Sequence, residues 1–306
     1  MKIVIFGGLG YIGSTLVELY RHETDNRIVV VDNRFIADRI AGFPPHIKFV
    51  HADVADIERM ASIIEDADFL YYLAAQVEAE SSQERSEAVW RDNFEVPKAV
   101  FEKTSPNTRI LFPSSGNVFG GIPVGEKWED LTEEDVPSPK LPYAETKYAV
   151  EGFLQQTNRE FTILRFGTNY GYAPGARFNL VTNIFTKRAL EGVDLKLHGG
   201  GKNWRPTAST VDCARALKFT STLDAASREV FHVSNASYRI VDLAETIVSL
   251  AGTKAKIVNV EKEVPFNSYA LSSEKIKKAG FTFEWPLERA VIDMKERYRA
   301  LIGAED

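Results

Sequence analysis

Along the first half of the chain, short apolar runs alternate with stretches whose apolar residues recur at helical spacing. The runs are rich in β-branched and aromatic residues and lie at 3–6, 28–32, 48–51, 69–73 and 110–113, which predicts strands. Between them, 11–22, 56–65 and 86–104 carry the helical period. Runs that are apolar at successive positions belong to strands buried on both faces. With helices between them, such strands imply a parallel sheet with right-handed crossovers. The predicted fold is α/β, a doubly wound parallel sheet.

The pattern changes after Tyr143. A long helical stretch runs to about 158 and leads into the strand-like TILRF, after which the chain turns irregular around Pro174, Gly175 and HGGGKNWRP. Further helices fit 179–191, 211–222, 240–251 and 287–302, with a short strand at 231–234. There is no internal repeat, low-complexity tract or long linker. We expect a sheet domain at 1–170 and a smaller C-terminal α/β lobe at 171–306, interleaved with it.

Composition narrows the function classes. The 306 residues are 44% hydrophobic and 26% charged, with a net charge of −6, and their mixed charges form no basic stripe. Nucleic acid is therefore not an expected partner. The single cysteine, Cys213, excludes an intramolecular disulfide and suits a reducing cytoplasm. Met1 leads straight into KIVIFG without a basic n-region, and no apolar run approaches a membrane span, so a soluble cytoplasmic protein is expected.

Candidate chemistry begins at FGGLGYIGS, between the first strand and the first helix. Gly8, Gly10 and Gly13 spell G-x-G-x-x-G, whereas Gly7, Gly10 and Gly13 spell G-x-x-G-x-x-G. Either spacing frees backbone N–H groups and a helix N-terminus for a pyrophosphate. Asp32 closes VVVD, where a carboxylate accepts from both adenosine ribose hydroxyls and repels a 2′-phosphate. That favours NAD, with Arg34 nearby as the counter-indication. Asp53, in HADV, fits either an adenine contact or the cap of a helix beginning near Asp56. LAAQ supplies small residues at a strand end, Leu73, Ala74 and Ala75, across which a cofactor can lie flat.

Paired serines, Ser114 and Ser115, end the fifth strand in FPSSGNVFG. Tyr143 and Lys147 follow in YAETK, one helical turn apart, and Tyr143 is the only one of the 11 tyrosines with a lysine four residues on. A phenol that removes a sugar hydroxyl proton near neutral pH must lose about 3 pKa units, worth about 4 kcal/mol. A neighbouring ammonium and a positive nicotinamide ring supply charge of the right sign. The bland alternative is a surface Tyr–Lys pair with capping serines.

Taken together, GGLGYIGS, VVVDN, HADV, LAAQ, SSGNVFG, YAETK, LRFGTNYG and WRPTASTVDCARAL resemble the extended short-chain dehydrogenase/reductases, the nucleotide-sugar epimerase/dehydratase family. The resemblance spans essentially the whole chain. It implies a Rossmann-type sheet, NAD, and Ser115, Tyr143 and Lys147 as the catalytic set, with Tyr143 as base and Lys147 on the nicotinamide ribose. It selects the Gly7, Gly10, Gly13 spacing, leaving Gly8 only to keep the turn small. It also implies Tyr11, Ile12, Asn33, Val54, Asn93 and Ser114 as further cofactor contacts and a nucleotide-diphosphate sugar as substrate. The five histidines show no metal-ligand spacing, so no metal is expected. Arg205 in NWRP resembles the family's diphosphate-binding arginine. Arg177 and Asn179 are further substrate candidates, with Asn179 expected to begin a helix. Trp204 and Tyr269 fit base stacking or plain packing. Glu78 and Glu80, just after LAAQ, fit either solvated carboxylates or selectors of a sugar's donors, and DLTEEDVPSPK reads as a solvated loop.

Two departures bear on the reaction. Dehydratases of the family carry Asp-Glu after the Ser/Thr, where this chain has Gly116 and Asn117, which argues against 4,6-dehydration. The common HVxD of the substrate lobe is STVD here, Ser209 to Asp212. The expected activity is epimerisation of a nucleotide sugar through a transient 4-keto intermediate. The alternatives are a 4-dehydrogenase or ketoreductase, and an idle NAD-binding regulator, against which the intact Ser115, Tyr143 and Lys147 argue. The family commonly pairs through two helices per subunit, here 86–104 and 143–158, implying a homodimer.

Overall fold

The computed structural model describes residues 1–77, 84, 86–121, 130–261 and 268–302, those from 298 onward as backbone alone. The first half runs β1 (Lys2–Phe6), α1 (Tyr11–Leu19), β2 (Arg27–Asp32), α2 (Ala37–Ala41), β3 (Ile47–His51), α3 (Ile57–Ile64) and β4 (Phe69–Tyr72). Next come α4 (Ser86–Trp90), a π-turn at Arg91–Glu95, α5 (Val96–Lys103), β5 (Arg109–Ser115), α6 (Pro142–Gln156) and β6 (Phe161–Phe166). The remainder is β7 (Thr168–Tyr170), α7 (Val181–Leu190), β8 (Leu195–His198), β9 (Trp204–Ser209), α8 (Thr210–Ser221), β10 (Glu229–Val233), β11 (Ala236–Arg239), α9 (Ile240–Ala251), β12 (Ile257–Val260), α10 (Glu274–Lys278) and α11 (Leu287–Ile302).

Seven strands form one sheet in the order β10-β6-β5-β4-β1-β2-β3, and every pairing in it is parallel. Alternate residues of β1 serve opposite cores, as the strand period requires. Ile3 and Ile5 pack with Leu16, Val30, Leu164 and Leu217 beneath α1 and α8. Val4 and Phe6 pack with Met60, Tyr72, Phe112 and Val150 beneath α3, α5 and α6. Because the chain leaves β1 toward β2 on one side and reaches β4 on the other, a crevice opens at the carboxyl ends of β1 and β4.

A third core, with Tyr170, Phe185, Leu195, Leu243, Ile247 and Val291, holds α7, α9 and α11 together beside two small sheets, β11-β9-β7 and β12-β8. Residue 170 is not a clean cut. β10 and α8 come from beyond it, yet β10 is the edge strand of the main sheet and α8 lies against α1. No helix among the described residues is long and apolar enough to cross a membrane.

Candidate active site

A cavity of about 590 Å³ opens at the crevice between β1 and β4. Gly7, Gly10, Tyr11, Ile12 and Gly13 line it. Gly7 has φ +77°, and a Cβ on Gly13 would lie 2.2 Å from the Gly7 carbonyl oxygen, so the turn into α1 closes only with glycine at both positions. Gly8 faces away from the cavity and is not idle: a Cβ there would stand 2.5 Å from Val30 Cγ1. It is needed for packing against β2, not for keeping the turn small.

Asp32 is buried at the end of β2 and its carboxylate is fully engaged. It accepts from the Leu9 backbone N at 2.9 Å, the Arg34 backbone N at 3.0 Å, Arg34 Nε at 3.1 Å and Arg34 Nη2 at 3.3 Å. A ribose diol binding here would have to displace the half-exposed Arg34 guanidinium. Asn33, Asp53 and Val54 line the same end of the cavity. Of the two readings of Asp53, the helix cap falls to Asp56, which accepts from the Arg59 backbone N. Asp53 instead closes a turn, accepting from the Ala55 backbone N at 2.9 Å.

Leu73, Ala74 and Ala75 form the wall above β4, and a Cβ on Gly7 would meet Ala74 N at 2.8 Å. Asn93 lies behind that wall. Its Oδ1 accepts from the Gln76 backbone N at 2.8 Å and its Nδ2 donates to the Gln76 carbonyl at 2.9 Å. Asn93 is thus occupied by the chain itself and shapes the wall rather than lining the cavity. The π-turn presents Arg91 and Asp92 to the cavity, and Asp92 accepts from Gln76 Nε2. The helical period gave no sign of this widening.

Ser114, Ser115, Tyr143 and Lys147 meet at the other end of the cavity. Lys147 Nζ donates to the Pro113 carbonyl at 2.9 Å and lies 4.5 Å above the Phe112 ring. Burial pushes its ammonium down to about 8, against the opposing charge of Glu151. Tyr143 is hydrogen-bonded to Ser115, whose Oγ accepts from the Asn117 backbone N at 3.2 Å. Burial holds the Tyr143 phenol above its ordinary value, while Arg177 and the Ser115 hydrogen bond pull it down. Ionisation of this phenol near neutral pH therefore requires further positive charge in the cavity.

The substrate candidates divide. Arg177 lines the cavity and donates to Asn179 Oδ1 at 3.3 Å. Asn179 is exposed and does not begin a helix, because α7 starts at Val181 with Leu180 as its cap. Asn183 holds this segment: its Nδ2 donates to the Tyr11 hydroxyl and the Arg177 carbonyl, both at 2.8 Å, and its Oδ1 accepts from Gly171 N. Arg205 lies on β9 outside the cavity wall, donating to the Trp204 carbonyl at 3.1 Å, with its charge acting on Tyr269. Tyr269 is buried and donates to Asn117 Oδ1 at 2.7 Å, so it packs instead of offering a stacking face. Glu78 and Glu80 lie outside the described residues. The acidic stretch after Asp130 is anchored, not merely solvated. Leu131 bridges Leu271, and Glu133 accepts from the His232 backbone N at 2.7 Å. No cluster of potential metal ligands occurs among the described residues.

Residues 3–234 match the NAD dependent epimerase/dehydratase family. The chain belongs to that family. It is an NAD-dependent enzyme of the nucleotide-sugar epimerase/dehydratase type. Low-salt glycan biosynthesis protein Agl12 of Haloferax volcanii is 26% identical over 302 residues, covering 94% of this chain and 95% of its own. A dTDP-glucose 4,6-dehydratase of Streptomyces niveus is 24% identical, covering 98% and 93%. UDP-glucose 4-epimerase of Thermotoga maritima, solved with UDP-glucose, shares the fold at a TM-score of 0.84 and 23% identity, covering 99% of this chain and 100% of its own. The cavity fits the family's cofactor: a helix N-terminus for the pyrophosphate, Asp32 for the ribose, and a flat wall of small residues leading to Tyr143 and Lys147.

Proposed function

We propose that the chain is a nucleotide-sugar 4-epimerase. The observation that carries this over dehydration is the filled space beside Ser115. A Cβ on Gly116 would stand 2.8 Å from Leu271 Cδ1 and 2.9 Å from Tyr269 Cε2. The next side chain, Asn117, is held by the Tyr269 hydroxyl. An acid–base pair for removing water lacks its groups at both positions and lacks room at Gly116, whereas the Tyr143, Lys147 and Ser115 set is complete.

In this reading the glycine turn and Asp32 hold NAD, which supplies the hydride acceptor, and Lys147 holds its nicotinamide ribose. Tyr143 would take the proton from the C4 hydroxyl as hydride leaves that carbon for the bound cofactor, and would return it to the oxygen as the hydride comes back to the other face of the sugar. Ser115 has its oxygen on Asn117 N and donates its proton to the sugar oxygen, steadying charge as it develops. Arg177, which lines the cavity, is the cation we assign to the substrate diphosphate.

Incubation with UDP-, GDP-, CDP- and dTDP-sugars should yield a C4 epimer by NMR without accumulating NADH absorbance. A product lighter by one water overturns the epimerase reading. Tyr143→Phe should lower turnover by about a thousandfold or more while NAD affinity changes by less than about threefold. Near-normal turnover in that variant removes Tyr143 as the base. The reading includes a homodimer through the faces of α4, α5 and α6. Light scattering should give twice the 34.3 kDa chain mass, and a monomer refutes it.

A further inference from the structure

Glu151 is the third residue, after Tyr143 and Lys147, in a run of i, i+4 positions along α6. Its side chain is 0% exposed. Arg165 on β6 grips it through Nε, at 3.2 Å and 3.1 Å from the two oxygens, and through Nη2 at 2.7 Å. The Ser114 hydroxyl donates to its Oε1. Beyond the pair, Phe119 lies 5.2 Å from the Arg165 guanidinium, and His232 Nε2 is 3.5 Å from Arg165 Nη1.

A buried ion pair is a poor device for stability alone. The cost of desolvating two charges roughly cancels their attraction, and apolar residues of the same volume often serve a core better. This pair, however, touches the catalytic strand. Ser114 lines the cavity next to Ser115, and Lys147 lies one turn from Glu151. A serine has one proton to give. That of Ser114 goes to Glu151, so Ser114 faces the cavity as an acceptor. Ser115 differs: its oxygen accepts from Asn117 N, and its hydrogen bond to Tyr143 keeps its hydroxyl beside the catalytic phenol.

We propose that Glu151, clamped by Arg165, is a positioning residue of the reaction, holding Ser114 as an acceptor toward the cofactor cavity and supplying counter-charge behind Lys147. The proposal rests on the reading of Tyr143 and Lys147 as base and helper. Glu151, one turn along α6, is a negative charge that opposes the desolvation of Lys147, so its removal favours the neutral amine and weakens support for the Tyr143 phenolate. The charged and titratable groups around Lys147 are Tyr143 and Glu151 on α6, Arg165 on β6, His232 on β10 behind Arg165, and Arg177 across the cavity. His232 is pushed down to about 3, mainly by burial and then by Arg165, so it keeps one charge state through the neutral range.

The test is Glu151→Gln, which keeps shape and removes charge. The Tyr143 phenolate is titrated by absorbance in the NAD-bound protein, as the difference from the same protein carrying Tyr143→Phe. The midpoint should rise by about one pH unit in Glu151→Gln. With a sugar substrate, kcat at neutral pH should fall about tenfold while KM stays within about twofold. A lowered Tm with an unmoved midpoint would show a purely structural pair and overturn the proposal. Should Glu151→Gln not fold, the double variant Glu151→Gln/Arg165→Gln removes both charges, and a smaller rise in the same direction is expected of it, because the more distant positive charge of Arg165 is lost as well; an unmoved midpoint there overturns the proposal equally. Ser114→Ala should weaken NAD binding by about threefold or more without moving the midpoint, and unchanged affinity overturns the acceptor role. Neither titration nor NAD affinity requires a sugar. Failure to turn over any nucleotide sugar would therefore sink the epimerase reading alone.

Discussion

Lys147 is a charge placed where charge is unwelcome. It donates to the Pro113 carbonyl above the Phe112 ring, with Glu151 one turn along α6, and burial brings its value from 10.5 to about 8. The unfolded chain binds that proton more tightly than the folded one, so stability rises with pH between about 8 and 10.5 as the folded lysine is already neutral. The penalty is fully present below about pH 8 and is worth about 3 kcal/mol. Lys147→Met removes it. Denaturant midpoints should show wild type gaining on Lys147→Met by up to about 3 kcal/mol from pH 7.5 to 10.5. A pH-independent difference would show that burial is not the cause. The site carries this charge at the expense of stability. Its Tyr–Lys spacing was legible in YAETK because four residues on a helix is a local distance. The burial of Tyr143 was not legible. A lysine and a positive nicotinamide were the expected sources of charge that lower the phenol; burial, which no local spacing reveals, is the effect they have to overcome.

At the scale of elements, the stretch from Ser86 to Lys103 reads as one amphipathic helix but contains the π-turn at Arg91–Glu95. One extra residue per turn re-aims the side chains that follow, which is why such turns gather at functional sites. Here Asp92 and Asn93 both reach Gln76, from opposite ends of its side chain and main chain. Asn93→Ala leaves two main-chain groups of Gln76 without their partners. NAD affinity should fall about tenfold by fluorescence titration, with little change in the KM for sugar. An unchanged affinity would mean the β4 wall keeps its shape unaided. The residue was found from the sequence, while its partner was not. A period of 3.6 carries no information about a chain segment 17 residues away.

At the scale of the molecule, the boundary expected near 170 does not divide the fold. β10 seals the edge of β6, whose six residues are all buried, and α8 covers the α1 face with Cys213, Ala214 and Leu217. Asp212 ties the C-terminal segment on, accepting from Arg215 at 2.6 Å and from the Glu284 and Trp285 backbone N at 3.1 Å and 2.9 Å. A fragment of residues 1–170 should therefore lack a cooperative unfolding transition and bind the dye ANS, whereas the whole chain should melt in one step by circular dichroism. A cooperatively folded fragment would establish an autonomous first domain.

The sequence alone determined the parallel sheet, the glycine turn, Asp32, the serines at the end of β5 and the Tyr–Lys helix. Each of these is written in near neighbours, through strand alternation, helical period or a fixed turn. Only the tertiary structure decided that Gly8 belongs to packing, that Asn93 serves the wall, that Arg34 covers Asp32, and that Tyr269 and Leu271 fill the space beside Gly116. Tyr269 reaches Asn117 across 152 residues. Which side chain occupies a space is fixed by packing between distant segments, and no spacing along the chain encodes it.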